Sequence, residues 1–253
     1  MSRPVRKQQP WAVVGLLACL FLLGFSGSAQ AGPLTVVDDF NRPDGTNLGP
    51  NWNEANPDFR IENGTARSEA VFGGSLMTYT GPVSNPNVVG ADVFYQGGPR
   101  VVYNALVLGY ANLANNVFVK VQDNNANGDF DTVFFYYGDN GGGWPGMTGG
   151  PASQAVPTPF TSARLTLTLA GNAVTLTIDT NFDNVPELTY TRGGIPLANL
   201  GSGVGLGGFN NATFDNFALE GTQAIPEPAS LALWGVGTLA LAGLGWRRSR
   251  KPS

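Results

Sequence analysis

The sequence predicts an all-β protein built from two antiparallel sheets packed face to face, with an apolar segment at each end. Three observations carry this prediction. Apolar residues alternate with small or polar ones along many short stretches, the period of a half-buried strand. Gly, Asn and Pro turn signals separate those stretches. No stretch between Gly32 and Thr222 shows the spacing of an amphipathic helix. About a dozen short strands in roughly 190 residues suit a sandwich, and no repeat of fixed period supports a solenoid.

The elements follow in chain order. Arg3, Arg6 and Lys7 form a basic start, Trp11 to Phe25 an apolar run, and Ala29-Gln30-Ala31 a small-x-small site, so residues 1–31 read as a signal peptide. The alternative is an uncleaved anchor, for which the run is short. Cys19, the one cysteine, lies inside this run, and apolar residues continue past it, so it reads as packing. The first strand candidate is VVDDF (36–40), and Trp52, after the turn NLGPN, is expected in the core. FRIE (59–62) and TARS (65–68) flank Asn63-Gly64, the dipeptide of a two-residue type I′ hairpin. SLMTYT, VVGADVFY, ALVLGY, VFVKV and TVFFYY continue the strands to residue 137. Gly138 to Pro159 is so rich in Gly and Pro that it reads as one long loop. ARLTLTL and VTLTI then alternate around the turn Gly171-Asn172, placing Leu165, Leu167, Leu169, Val174, Leu176 and Ile178 on one face. ELTYT, GVGLGGF and TFDNFALE complete the domain, 32–222.

Composition narrows the chemistry. No cysteine follows residue 31, so the exported domain has no disulfide and depends on its core. The chain contains no histidine, which removes Ser-His-Asp and Cys-His catalysis and the usual zinc ligands. Between Gly32 and Thr222 there are 17 acidic and 7 basic residues. That balance disfavours nucleic acid and anionic lipid, and suits calcium, neutral polymers or cationic partners.

Two loops hold more oxygen ligands than a turn requires. Asp123, Asn125, Asn127, Asp129 and Asp131 alternate in a loop that begins as D-x-[DN]-x-[DN]-G, with Gly128 for the sharp bend. Such alternation can converge on one calcium ion. Phe134 stands where a bidentate Glu belongs, however, and strands flank the loop, so an Asx-turn hairpin loop is the other reading. Asp179, Asn181 and Asp183, followed by Glu187, repeat the pattern without the glycine. For a sugar ring, Trp144 in the long loop is the leading stacking candidate. Tyr136 and Tyr137 face opposite sides of their strand, so only one can join it, and Tyr137 is the expected partner.

VVDDFNRPDGTNLGPNW (36–52), FRIENGTARSE and ATFDNFALEG (212–221) resemble the opening and closing strands of concanavalin A-like, laminin G-like lectin/glucanase jelly rolls. The resemblance implies a jelly-roll sandwich whose relatives include sugar-binding modules, glycosidases and adhesive domains. Glucanases of that superfamily carry E-x-D-x-x-E on one strand, so that two carboxylates share a face. No such stretch exists here. Glu54, Glu62, Glu69, Glu187 and Glu220 are scattered, and the expectation is a protein that is not an enzyme.

The tail, 223–253, has three parts: Ile225-Pro226-Glu227-Pro228, an apolar span over 229–246, and a basic end, Arg247, Arg248, Arg250 and Lys251. The span is just long enough to cross a bilayer core, and the basic end would hold it on the cytoplasmic side. Its glycines weaken it as a permanent anchor, and the two prolines hold the tetrapeptide extended, as a protease requires. This arrangement resembles the PEP-CTERM sorting signal, with Ile225 at the position usually held by valine. The resemblance implies cleavage by an exosortase-type membrane enzyme and transfer to the cell surface. The sequence therefore reads as an exported module that binds or organises extracellular polysaccharide. The alternatives are a carbohydrate-active enzyme and a structural matrix protein that recognises no glycan.

Overall fold

The computed structural model describes residues 34–70, 74–83, 85–97, 101–137 and 153–220. The expected signal peptide, Trp144, Ile225-Pro226-Glu227-Pro228 and the apolar span lie outside these residues. Among the described residues no helix is long and apolar enough to cross a membrane.

The described residues form fifteen strands in two sheets, each paired antiparallel throughout. They are β1 Leu34–Asp38, β2 Trp52–Asn56, β3 Phe59–Glu62, β4 Thr65–Ser68, β5 Ser75–Tyr79, β6 Asn85–Phe94, β7 Tyr103–Asn112 and β8 Asn115–Gln122. They continue as β9 Phe130–Tyr137, β10 Ser153–Phe160, β11 Ser162–Ala170, β12 Ala173–Asp179, β13 Leu188–Gly193, β14 Gly203–Phe209 and β15 Thr213–Glu220. The eight-stranded sheet runs β13-β12-β11-β6-β15-β4-β3, with β1 also paired to β15. The seven-stranded sheet runs β10-β9-β8-β7-β14-β5-β2. One 3₁₀ turn, Leu197–Asn199, is the helical element among the described residues.

The predicted alternation fixes which faces meet. On β11 and β12, Leu165, Leu167, Val174, Leu176 and Ile178 are fully buried, while the Thr residues between them face outward. They pack against Val117, Val119, Val121, Val133 and Phe135 of the other sheet in one continuous core. The β3–β4 turn has positive φ at both Asn63 (52°) and Gly64 (73°), as the type I′ geometry demands. At the β11–β12 turn only Gly171 (57°) is positive, which makes it type II′.

The opening and closing motifs meet. β1 pairs with β15, and Phe40, Trp52, Tyr79 and Phe217 form one aromatic cluster, with Trp52 at 4.8 Å from Phe217 and 5.5 Å from Phe40. Trp52 is only partly buried, because its Nε1 donates to Asp38 Oδ2 at 2.7 Å near the rim of the core. Two strands differ from the expectation. Trp52–Asn56 is the edge strand β2, and Ser153–Phe160, expected as loop, is the opposite edge strand β10. Pro157 and Pro159 are tolerated there because an edge strand leaves one row of N–H groups unpaired, and the register shifts between Ala155 and Phe160.

Candidate functional site

The outward face of the seven-stranded sheet carries a second apolar and aromatic cluster, in which Leu76, Ala105, Val107 and Phe118 are buried and Tyr103 and Tyr136 are partly buried. Because β9 reads FDTVFFYY, aromatic residues fall on both of its faces, and only one set can enter the core. Phe135 and Tyr137 are the inward set, Tyr137 being 8% exposed within the core. Tyr137, expected as a ligand-binding ring, therefore offers no stacking face. Phe134 and Tyr136 are the outward, half-buried set, stacked at 6.1 Å. Register places Phe134 beside Lys120 and Tyr136 beside Phe118. It then places Lys120 beside Ala105 and Phe118 beside Val107. Tyr103 and Phe209, stacked at 5.6 Å, extend the surface across β7 and β14.

Lys120 sits at the centre of these rings. Its Nζ is 4.3 Å from the Tyr103 ring, 4.8 Å from Phe134 and 5.4 Å from Tyr136. Burial pushes its ammonium down to about 8, since desolvation disfavours the charged form. The ring faces act in the opposite sense, because their quadrupoles attract a cation. Burial likewise pushes Tyr103 up to about 12 and raises Tyr136. This is a surface of ring faces and phenol hydroxyls around one cation, in a domain otherwise acidic. The signal was present in the alternation of TVFFYY and VFVKV, but the choice of face needed the sheet.

The two acidic loops come to lie on one cavity. A cleft of about 540 Å³ is lined by Asp129 of the first loop, Thr180 and Glu187 of the second, and Thr158, Thr161 and Ser162 between them. The loops differ in how their oxygens are engaged. In the first, Asp123 is fully buried. Its Oδ1 accepts from Asn127 N (3.1 Å), and its Oδ2 accepts from Gly128 N (3.1 Å) and Tyr95 Oη (2.8 Å). That environment pushes the Tyr95 phenol up to about 12, through burial first and then the hydrogen bond to Asp123. Asp131 Oδ1 accepts from Asn124 N (3.0 Å) and Thr132 Oγ1 (2.7 Å). Asn125 and Asn127 close Asx turns onto Asn127 N and Asp129 N. In the second loop, Asp179, Asp183 and Glu187 each offer a carboxylate oxygen within 4.8 Å of the others. Among the described residues this is the one group of three carboxylates that meets so closely.

Carboxylates from distant strands also approach one another on β6 and β15, where Asp92 and Asp215 are register partners. Asp92 accepts from Arg164 Nε at 2.8 Å and Nη2 at 3.1 Å, and from the Asn216 amide at 2.9 Å. Asp215 is raised above the ordinary carboxylate range, by burial first and then by Asp92, Asp39 and Asp38; the backbone N–H of Asn216 pulls the other way. The Asp92 oxygens thus tie three strands together and leave little capacity to act on a substrate.

Solved structures similar to this chain include three of related shape at low identity. The carbohydrate-binding module CBM66 from Bacillus subtilis has 15% identity, with 66% of this chain and 93% of that one covered and a TM-score of 0.46. A Bacillus licheniformis β-glucanase has 12% identity, coverage of 75% and 98%, and a TM-score of 0.47. The exoplasmic/lumenal domain of VIP36, in a form bound to Ca²⁺ and Man2, has 9% identity, coverage of 75% and 90%, and a TM-score of 0.46. No curated protein matches the sequence. Residues 224–251 match the PEP-CTERM protein-sorting motif, and with that motif the chain is one exported and sorted to the cell surface from a precursor held in the membrane at its C-terminal end.

Proposed function

We propose that this is a non-catalytic polysaccharide-binding protein of the bacterial cell surface or matrix, which uses the outward face of its seven-stranded sheet. In this reading a signal peptide is removed after Ala31, residues 32–222 form a concanavalin A-like jelly roll, and an exosortase-type enzyme cuts at Ile225-Pro226-Glu227-Pro228. The apolar span 229–246 holds the precursor only until that cut. Calcium is the cofactor, held by an acidic loop.

One observation carries the glycan assignment: Tyr103, Phe134 and Tyr136 surround Lys120 on a single sheet face. Sugar rings stack their C–H faces on aromatic side chains, while hydroxyls and carboxylates take hydrogen bonds from a phenol or an ammonium. Trp144 belongs to the same proposal as a further stacking ring. Catalysis is disfavoured because a glycosidase needs two free carboxylates, and Asp92, the register partner of Asp215, is engaged by Arg164 and Asn216.

The test is retention of the host's own secreted polysaccharide by immobilised protein. Tyr136→Ala should weaken retention by about 1–3 kcal/mol, roughly 5- to 150-fold, with a melting temperature within a few degrees of wild type. Trp144→Ala tests the second ring in the same assay. No reducing sugar should appear on long incubation. Release of sugar would identify an enzyme, and absence of both retention and release would leave a purely structural matrix role.

A further inference from the structure

Of the two acidic loops, the sequence favours the first as a cation site, because Asp123 to Gly128 fits the calcium-loop spacing. The hydrogen bonding points to the other. Both Asp123 oxygens are engaged by donors from the protein itself: two backbone N–H groups and the Tyr95 phenol. A fully buried carboxylate that accepts three hydrogen bonds already has its charge balanced by dipoles. Asp131 faces Asn124 N and Thr132 Oγ1 instead of Asp123. Asp129 Oδ1 has no hydrogen-bond partner, but its residue is only half-buried, and the first loop brings no three carboxylates together.

In the second loop Asp179 is 5% exposed. Its Oδ2 accepts from Asn184 N at 2.8 Å, while its buried Oδ1 has no hydrogen-bond partner. A buried carboxylate oxygen without a partner is costly and requires a physical explanation. Arg164 does not supply one. It lies opposite Asp179 in register, and its guanidinium is raised chiefly by the hydrogen bonds to Asp92, with a smaller contribution from Asp179. Its guanidinium arms nevertheless go to Asp92 and, at 2.8 Å, to Asn184 Oδ1. Asp183 and Glu187 bring two more negative charges to Asp179. Both accept from exposed loop donors: Asp183 from Val185 N (2.8 Å) and Asn181 Nδ2 (3.2 Å), and Glu187 Oε2 from Thr180 N (2.7 Å) and Oγ1 (3.2 Å), while Asn181 Oδ1 accepts from Asp183 N (3.0 Å). None of the three carboxylates takes part in a salt bridge among the described residues, and the buried Asp179 Oδ1 is what distinguishes this loop from the first.

We infer that residues 179–187 form a calcium site, with Asp179, Asp183 and Glu187 as carboxylate ligands and Asn181 as a neutral oxygen donor. Calcium–oxygen bonds are about 2.4 Å long, so two ligands on opposite sides of one ion stand about 4.8 Å apart. The three carboxylate oxygens already lie within that distance of one another. Calcium also accepts six to eight oxygens in an irregular shell, which a flexible loop with backbone carbonyls and water can complete. Magnesium demands a near-octahedral set and gives up water reluctantly, so it fits this loop poorly. The ion would neutralise the three carboxylates, of which Glu187 lines the cavity, and fix the β12–β13 connection, whose backbone reaches positive φ at Phe182 (61°) and Asn184 (67°). The inference sharpens the cation part of the function proposed above and is independent of glycan binding.

The test is thermal melting of the full chain purified in detergent, stripped with chelator and then given about 5 mM calcium or magnesium. That concentration is well above the affinities of weaker extracellular sites. With a dissociation constant of about 0.1–1 mM, the wild type should melt roughly 2–9 °C higher in calcium, and magnesium should do much less. Asp183→Asn combined with Glu187→Gln should abolish the rise. Both side chains are exposed, so this variant should fold without calcium as well as the wild type or better. Asp129→Asn combined with Asp131→Asn should retain the rise. A wild type indifferent to calcium would overturn this inference and the calcium cofactor together. A rise that survives loss of Asp183 and Glu187, or that disappears with Asp129 and Asp131, would overturn the assignment to this loop alone.

Discussion

Lys120 shows how one side chain responds to its surroundings. Its ammonium is pushed from an ordinary 10.5 down to about 8 by burial. Below about 8 it is charged in both the folded and the unfolded chain, and the desolvation cost is present in full. Between about 8 and 10.5 the folded state has released the proton while the unfolded chain still binds it. Stability therefore rises with pH across that window. Tyr95 and Tyr103, pushed up to about 12, work in the other direction above 10, so the useful comparison ends there. Lys120→Met should be more stable than wild type at pH 7 by on the order of 1–3 kcal/mol, reduced by the lost cation–π attraction. The gap should narrow by pH 10. Urea unfolding at the two pH values measures it, and a gap independent of pH would show that burial does not set this lysine's charge.

At the scale of the element, β14 is constrained by the close approach of its neighbours. Its sequence GVGLGGF places Val204 and Leu206 in the core and turns Gly203, Gly205 and Gly207 to the outward face, while Gly208 lies inward against Ser68 and Ala212. Gly207 is needed because a Cβ at that position would overlap the Phe118 ring of β8. The ring keeps its place against β14 only if that side chain is missing. Gly207→Val should displace Phe118, lower stability by about 1–3 kcal/mol through overpacking, and weaken polysaccharide retention, because Phe118 packs edge-on against Tyr103 and Tyr136. Melting and pull-down on the same variant test both parts. Unchanged stability would mean that the ring moves aside freely. The edge strand β10 makes a related point, since its prolines are compatible with a strand only because a single neighbour, β9, hydrogen-bonds to it.

For the whole molecule, the sandwich and the sorting segment have separate tasks. The sandwich closes with β15, the last described strand, which lies between β6 and the pair β1 and β4. The domain therefore completes its core before the tail begins, and removal of the tail should leave the fold intact. Protein recovered from outside the cell should start after Ala31 and lack residues 231–253 by intact mass, while unfolding at the same temperature as the uncut precursor. Recovery of the complete tail on protein held in the inner membrane would show that the span is a permanent anchor.

The sequence by itself determined the all-β class, both central hairpins, the core face of β11 and β12, and the sorting tail. These rest on local rules: a period of two, the φ demands of Asn63-Gly64 and Gly171, and a contiguous motif. Edge strands β2 and β10 were not legible, because what permits a proline-rich or polar segment to be a strand is the neighbour it pairs with. The candidate sites divide in the same way. The acidic loops are visible as alternating Asp and Asn, yet their ranking depends on the donors that reach each oxygen. Tyr95 and two N–H groups engage Asp123, whereas Asp179 Oδ1 is left without a partner. TVFFYY announces two aromatic faces and does not say which is inward. Only the stacking of one sheet on the other settled that, burying Tyr137 and turning Tyr136 out beside Phe118 and Lys120, because burial is a property of the pair of sheets and of neither strand alone.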